Sequence, residues 1–423
     1  MSTTPSFTGR AALVFGASGI TGWAVLREAL RYPTTQSFSR IIGLSNRPLD
    51  RSQLLLPDDP RLCLASGVDL NAGPDQVVAE LSRIDGIQDV TDVFFAAYVQ
   101  PPGTSDFEGH EILKKVNVRI LETAAIAVEI ACPRLQYWSL QTGGKSYGFV
   151  HAREVGLPKV PCRESDPRIP QPFADQVFYY AQYDTLKRLS EAKRWRFTEI
   201  RPDIIVGFVP GGKNAMNLAQ ALGLFLSFFR DREQQPGDAA AAASTATTTK
   251  VPFPGTTASY NARHTEIGQQ TLGRAHIFAA SQLATSTNNG ELYNVGDSPP
   301  ITGLSWRDKW APLCAAFGLV GVGPQATDES NDNNQTSFSA SQYMMLHQNE
   351  WDGFEAKHNL LPGIIRHTSW EFLEVMLSLA SFDRQYDLSK FAEAGFQERV
   401  DVIQTYKEAF ELMRAAKIIP TLL

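Results

Sequence analysis

Apolar and polar positions alternate in two rhythms along the first two hundred residues. Short apolar runs near 11–16, 40–45, 61–65, 91–97, 135–141 and 197–201 read as strands. Segments near 21–31, 74–83, 111–130 and 176–194 carry helical spacing. In the third of these, Ile112, Val116, Ile120, Leu121 and Ala124 fall close to one face. Strands alternating with helices predict an α/β fold, a parallel sheet covered on both faces.

After Pro210 the rhythm changes. Leu218 to Arg230 reads as an apolar helix with Leu222, Leu224, Phe225, Leu226, Phe228 and Phe229. A low-complexity insertion, 233–250, follows, with a five-alanine run and then Ser and Thr. A second polar stretch, 325–337, is rich in Asn and Asp and reads as a loop. Between them Leu292-Tyr293-Asn294-Val295-Gly296 reads as a strand returning to the main sheet near 290–297, and from 302 onward helical patterns dominate. The expected organisation is a nucleotide-binding domain over 1–210 and a smaller, mainly helical substrate-binding lobe over 211–423.

The first strand runs into Gly16-Ala17-Ser18-Gly19-Ile20-Thr21-Gly22 and then a helix. Strand, glycine turn and helix form the context of a dinucleotide site. Glycines let the backbone approach a pyrophosphate, and the helix N-terminus offers it free N–H groups. The fold class predicted is therefore a Rossmann-type doubly wound sheet. The GxxGxxG spacing is typical of short-chain dehydrogenases. In such folds the end of the second strand faces the adenosine ribose, where a carboxylate favours NAD and an arginine favours NADP. Here Ser45-Asn46-Arg47 ends that strand, and no carboxylate occurs before Asp50. NADPH is the expected cofactor, with Arg47 on the 2′-phosphate and Ser45 or Asn46 assisting; the alternative is that Arg47 is a solvated loop cation. Asp69 and Leu70, after the third strand, are candidates for the adenine contact, with Asp69 equally readable as a helix cap.

Composition narrows the partners. A net charge of -6 argues against nucleic acid. No apolar stretch of 18 residues predicts a membrane span, and Met1 to Arg10 lacks a signal core. Cys63, Cys132, Cys162 and Cys314 form no CxxC pair, which points to reduced thiols and a cytoplasmic protein. The Asn334-Gln335-Thr336 sequon then reads as chance. None of His110, His264, His347, His358 and His367 shows metal-ligand spacing, so no metal is expected. The assembly is open, a homodimer included.

Several strings resemble the progesterone 5β-reductase/iridoid synthase-like (PRISE) reductases, an atypical branch of the extended short-chain dehydrogenases. GASGITG at 16–22 and GLSNRP at 43–48 are similar to its first two motifs. Asp89 to Phe95, Asn117 to Leu121, Leu140 to Gly148, Val177 to Asp184 and Arg201 to Asn217 resemble later ones, and the cadence continues from Asp383 to Pro420. The resemblance implies NADPH and reduction of an activated C=C bond in an enone or enal of an apolar small molecule. Carried over by position, Lys145 and Tyr179 are the catalytic pair. It also implies cofactor contacts through backbone groups of the Arg201 to Ile205 segment; Ala96, ending the fourth strand at the sheet edge where ligands bind in this architecture, and Thr142 are further candidates for cofactor contact. Ser146, Val177 and Tyr183 depart from the family's His, Asn and Glu. The chain resembles a divergent, fungal member more than a plant steroid reductase.

Chemistry suits that pair. Hydride delivery to an enone pushes charge onto the carbonyl oxygen, and a phenol can meet it with a proton. A nearby ammonium makes the phenol a better acid. A rival exists in Tyr183 and Lys187, whose YxxxK spacing places both on one helix face. Tyr180 should face elsewhere and pack in the core. Asp203 reads as a turn-capping carboxylate, and Tyr98 either lines the site or packs in the core. Phe225, Phe228 and Phe229 with Met216 floor a pocket or, as the plainer reading, fill a helix core. Runner-up functions are a ketoreductase, an epimerase or dehydratase, and a regulator that senses NADP(H) without turning it over.

Overall fold

The computed structural model describes residues 8–104, 108–214, 216–233, 249–283, 289–325 and 338–421. The chain divides into two compact units. The first comprises Met1–Asp203, Gln269–Gly296 and Tyr386–Glu398; the second comprises Ile204–Gly268, Asp297–Gln385 and Arg399–Leu423.

In the first unit the apolar runs form β1 (Arg10–Phe15), β2 (Phe38–Ser45), β3 (Leu62–Ser66), β4 (Asp92–Phe95), β5 (Tyr137–Gln141), β6 (Arg196–Arg201) and β7 (Glu291–Asn294). They make one seven-stranded sheet in the order β7-β6-β5-β4-β1-β2-β3, with every neighbouring pair parallel. The chain walks outward through β2 and β3, then returns to the far side of β1 as β4. That reversal opens a crevice beyond the carboxyl ends of β1 and β4, where this architecture takes its ligands. β7 is the return strand expected near 290–297.

Helices α1 (Ile20–Ala29), α2 (Pro74–Leu81), α3 (His110–Ala131), α4 (Phe178–Leu189) and α5 (Gln269–Phe278) complete this unit's main framework. A core of Leu13, Phe15, Leu44, Phe95, Trp138 and Phe197 packs with Ile120, Leu121, Ala124 and Val128 of α3. The face of α3 differs from expectation at its start. Ile112 is 54% exposed, and Leu113 and Asn117 take the buried positions instead. β4 is also shorter than the apolar run, ending at Phe95 rather than residue 97. Ala96 still donates its N–H to the Phe15 carbonyl at 3.1 Å, and beyond it Asn117 holds the chain: its Oδ1 accepts from the Val99 N–H at 2.9 Å and its Nδ2 donates to the Val99 carbonyl at 2.7 Å.

In the second unit, strand Ile204–Val206 pairs with Glu266–Gly268, and Lys250–Pro252 pairs with Val320–Val322, both parallel. Helix Leu218–Glu233 is buried from Leu218 through Phe229. Its Phe225, Phe228 and Phe229 pack on Tyr343 and Phe354 with ring separations of 5.2–6.4 Å. They are core side chains, while Met216 is 37% exposed. Helices recur after residue 302, as at Trp306–Ala315 and Val402–Ala415. Most of the insertion at 233–250 and of the polar stretch at 325–337, with the sequon, lies outside the described residues. Among the described residues no helix is long and apolar enough to cross a membrane.

The glycine turn makes a testable demand. A Cβ on Gly22 would lie 2.1 Å from the Gly16 carbonyl oxygen. Gly22→Ala must therefore push α1 away from the turn, at an expected cost of about 1–3 kcal/mol. A lowered thermal unfolding midpoint is the expected result; an unchanged midpoint refutes this reading of the turn.

Candidate active site

All the parallel strands of the first unit end on one edge, and the candidate residues follow those ends. Gly16 leaves β1 with φ +81°, which L side chains rarely adopt. A Cβ there would come within 2.8 Å of the Ala96 carbonyl, so the first turn and the end of β4 close on each other. Ala17 donates its N–H to Leu44, tying the same turn to β2 at 2.9 Å. α1 then begins without a side-chain cap, since its N-cap is Gly19. The N–H groups of Ile20, Thr21 and Gly22 therefore lack intrahelical partners. Ser18 is exposed, Gly19 and Ile20 are half-buried, and the buried Thr21 Oγ1 has no hydrogen-bond partner among the described residues. These features fit a phosphate-bearing dinucleotide: a cradle that a Cβ would fill, free donors, and an unsatisfied hydroxyl.

At the end of β2, Ser45 donates its hydroxyl to the Arg47 carbonyl at 2.5 Å and shapes the turn. Asn46 and Arg47 are exposed there. After β3, the Asp69 carboxylate accepts from the Asn71 N–H at 2.9 Å, an Asx turn rather than a helix cap. The N-cap of α2 is Gly73. Asp69 is exposed and Leu70 half-buried. Ile205 lies in the second unit, on the strand Ile204–Val206.

β5 runs into Thr142 and Gly143, then the short turn Gly144–Tyr147 that carries Lys145. Three anchors hold this turn. Thr142 donates its hydroxyl to Glu199, which also pairs with Arg201 at 2.9 Å. Tyr147 donates to Asn294 Oδ1 at 2.7 Å, and the Arg201 guanidinium lies 4.8 Å from its ring centre. Tyr180 donates to the Ser146 carbonyl at 2.5 Å. Burial raises the Tyr147 phenol far above its usual range, so it serves as a fixed neutral donor. Burial works against the Arg201 charge, but Glu199 and Tyr147 outweigh it and keep the guanidinium protonated. Asp203 places Oδ1 2.7 Å from where a Cβ on Gly144 would stand.

α4 brings the tyrosines. Its N-cap is Val177, which offers no side-chain acceptor where the related motif has Asn. Tyr179 sits in the first turn, half-buried, with its hydroxyl 3.5 Å from the position of a Cβ on Gly143. Lys145 Nζ lies 5.7 Å from the Tyr98 ring centre and 5.8 Å from that of Phe178. Those rings stack at 5.9 Å, and Phe178 meets Tyr179 at 4.4 Å. Lys145 and Tyr179 line one small pocket, with His110, Leu113, Gln176 and Phe178 among its other walls. Tyr98 thus belongs to the aromatic shell of this lysine.

The rival pair is committed elsewhere. Tyr183 donates to the Gly290 carbonyl at 2.8 Å and Lys187 to the Asn289 carbonyl at 2.6 Å. Both hold the turn that enters β7. Two residues of the neighbourhood carried no distinguishing signal in the sequence. His151 packs its ring 5.3 Å from that of His110, and Glu199 anchors the lysine turn from inside β6.

The model of the PRISE-like Rossmann-fold domain matches residues 12–420. The chain is 34% identical to the short chain dehydrogenase sirQ of Leptosphaeria maculans over 412 residues, covering 97% of each. It is 34% identical to the short chain dehydrogenase ausT of Aspergillus calidoustus over 415 residues, covering 97% of this chain and 94% of that one. Among solved structures, the dTDP-glucose 4,6-dehydratase DesIV of Streptomyces venezuelae, with NAD and TYD bound, has the same fold, with a TM-score of 0.57 at 14% identity over 96% of this chain and 97% of that one. The chain belongs to the PRISE-like Rossmann-fold family of short-chain dehydrogenases.

Proposed function

We propose that this protein is an NADPH-dependent reductase that acts on an activated C=C bond, in an enone or enal, or on the carbonyl of an apolar small molecule. The observation that carries the reading is the shared pocket of Lys145 and Tyr179, set among Tyr98 and Phe178. The free N–H groups of α1 would hold the pyrophosphate, and the exposed Arg47 would grip the 2′-phosphate. When bound, the nicotinamide supplies a hydride. The chain's own part is to hold the substrate oxygen, give it a proton and keep water out. Tyr179 donates from its phenol as charge builds on that oxygen. Lys145 stabilises the phenolate left behind. The anchored turn around Ser146 and Tyr147 fixes the lysine before substrate arrives, which avoids reorganisation during the reaction. Ketone reduction would use the same two groups. The unpaired cysteines suit a reducing compartment, and the reading places the enzyme in the cytoplasm.

Purified protein mixed with NADPH and a panel of small enones, enals and ketones should consume the coenzyme, followed at the nicotinamide absorbance band. Binding with no consumption across the panel would favour the sensing regulator instead. The cofactor assignment has its own test. A charge-assisted pair is worth about 1.5–3 kcal/mol, so Arg47→Ala should weaken NADPH about 10–100-fold. NADH affinity should barely change. Equal loss of both coenzymes refutes the role given to Arg47.

A further inference from the structure

Two histidines stand beside the Lys145 and Tyr179 pocket with no part in the chemistry above. His110 opens α3 and lines the pocket directly. His151 follows Val150, which also lines it. The two rings lie 5.3 Å apart, tilted by 50°. On its other side His151 meets Phe173, with ring centres 5.5 Å apart. His151 is only 5% exposed, yet its Nε2 has no hydrogen-bond partner among the described residues. A buried ring nitrogen left unmatched is costly, and such a group calls for a partner from outside the chain. The remaining walls do not supply one: Leu113, Val177 and Phe178 are apolar, and the Gln176 amide makes no hydrogen bond to this nitrogen.

We propose that His110 and His151 form a polar subsite that hydrogen-bonds a second oxygen of the substrate, a hydroxyl placed a few atoms from the carbonyl that Tyr179 serves. This deepens the reductase reading and rests on it for the identity of the reacting carbonyl. The substrate class becomes a hydroxylated enone or ketone rather than a plain hydrocarbon one. The deep burial of His151 favours a hydroxyl over an anion, since bringing a charge to so buried a nitrogen is costly. Burial holds His151 below the usual histidine range, the neighbouring His110 presses it further the same way, and Glu154 opposes them. A neutral imidazole offers one donor and one acceptor. A hydroxyl answers both, whereas a carboxylate answers only the donor.

Calorimetry on the protein saturated with NADP+ separates this subsite from turnover, because the oxidised coenzyme reduces nothing. The probes are cyclohex-2-enone and 4-hydroxycyclohex-2-enone. Wild type should bind the hydroxylated probe at least ~5-fold tighter, the worth of one net hydrogen bond near 1 kcal/mol. His151→Phe keeps a flat ring between His110 and Phe173 and should reduce that ratio to near one. A purely structural role for His151 would weaken both probes together and leave the ratio unchanged. Equal affinities in wild type, a ratio that survives His151→Phe, or binding of neither probe overturns the subsite. Failure of the reductase reading shows differently: no NADPH consumption with any carbonyl compound, whatever the probes' affinity ratio.

Discussion

Tyr179→Phe is expected to lower turnover of the best enone or ketone by about 10²–10⁴-fold, the usual worth of a positioned general acid. KM should move by less than ~3-fold, because the phenol acts on charge that develops only in the transition state. Its place in the first turn of α4, in the pocket with Lys145, motivates the expectation. Lys145→Met should also depress turnover and should shift the pH profile upward, since the phenol loses the cation that favours its ionised form. Tyr183→Phe is the control. Its hydroxyl bonds the Gly290 carbonyl, so the substitution should cost stability of about 1 kcal/mol and leave turnover within ~3-fold. Steady-state kinetics with paired denaturation curves reads all three. Activity lost in Tyr183→Phe and kept in Tyr179→Phe would transfer the site to the YxxxK pair.

In the sequence only the family resemblance separates Tyr179 from Tyr183; the structure adds what the Tyr183 hydroxyl touches. Spacing places Tyr179 and Tyr183 one turn apart on α4, and both have a lysine candidate. That the Gly290 carbonyl, 107 residues away in sequence, takes the Tyr183 hydroxyl follows from the sheet order and not from local pattern. The sheet itself is legible because the central strands, such as Arg10–Phe15 and Asp92–Phe95, carry apolar runs, and because Gly16 and Gly22 have a steric duty in the turn. The errors were local. Ile112 looks like part of an apolar face, but the first turn of α3 projects it outward while Asn117 is drawn in to hold Val99. A polar residue at a core position breaks hydrophobic periodicity, so pattern alone assigns the wrong stripe. For the same reason His151 and the buried polar residues of the second unit were silent. Periodicity registers apolar positions, and neither a buried imidazole nor a buried pair such as Lys309 and Glu266 leaves a mark in it.

Lys309→Met is expected to destabilise the protein by about 3–5 kcal/mol, the cost of leaving a buried charge unpaired. Lys309 and Glu266 are both fully buried in the second unit and directly bonded. Lys309 Nζ also contacts His264 Nε2 at 2.9 Å and lies 3.7 Å from the Trp306 ring centre, while Tyr406 donates to Glu266 at 3.2 Å. Burial alone would raise the Glu266 pKa, but Lys309 and His264 outweigh it and hold the carboxyl at about 2. Removing the ammonium therefore strands a carboxylate in the core. The double variant with Glu266→Gln removes both charges and should recover part of the loss. Urea unfolding followed by far-UV circular dichroism measures each step; a single-variant loss under ~1 kcal/mol would refute the pair's role. The same groups set a pH dependence. Burial, with Lys309 beside it, keeps His264 down at about 4, and burial keeps His276 at about 3. In the unfolded chain both take protons near 6.5. The histidine contribution to stability is then complete above pH 6.5 and is lost as the pH drops through the window toward 4 and 3, while burial, which lowers the pKa of the Lys309 ammonium, adds a further rise in stability on the alkaline side. Glu266, lowered from its unfolded value of 4.5 to about 2, adds a second loss between those two values. Glu266→Gln should flatten that lower segment of the urea midpoint against pH and leave the His276 contribution in place, while His264, losing the carboxylate that favours its charged form, moves further down.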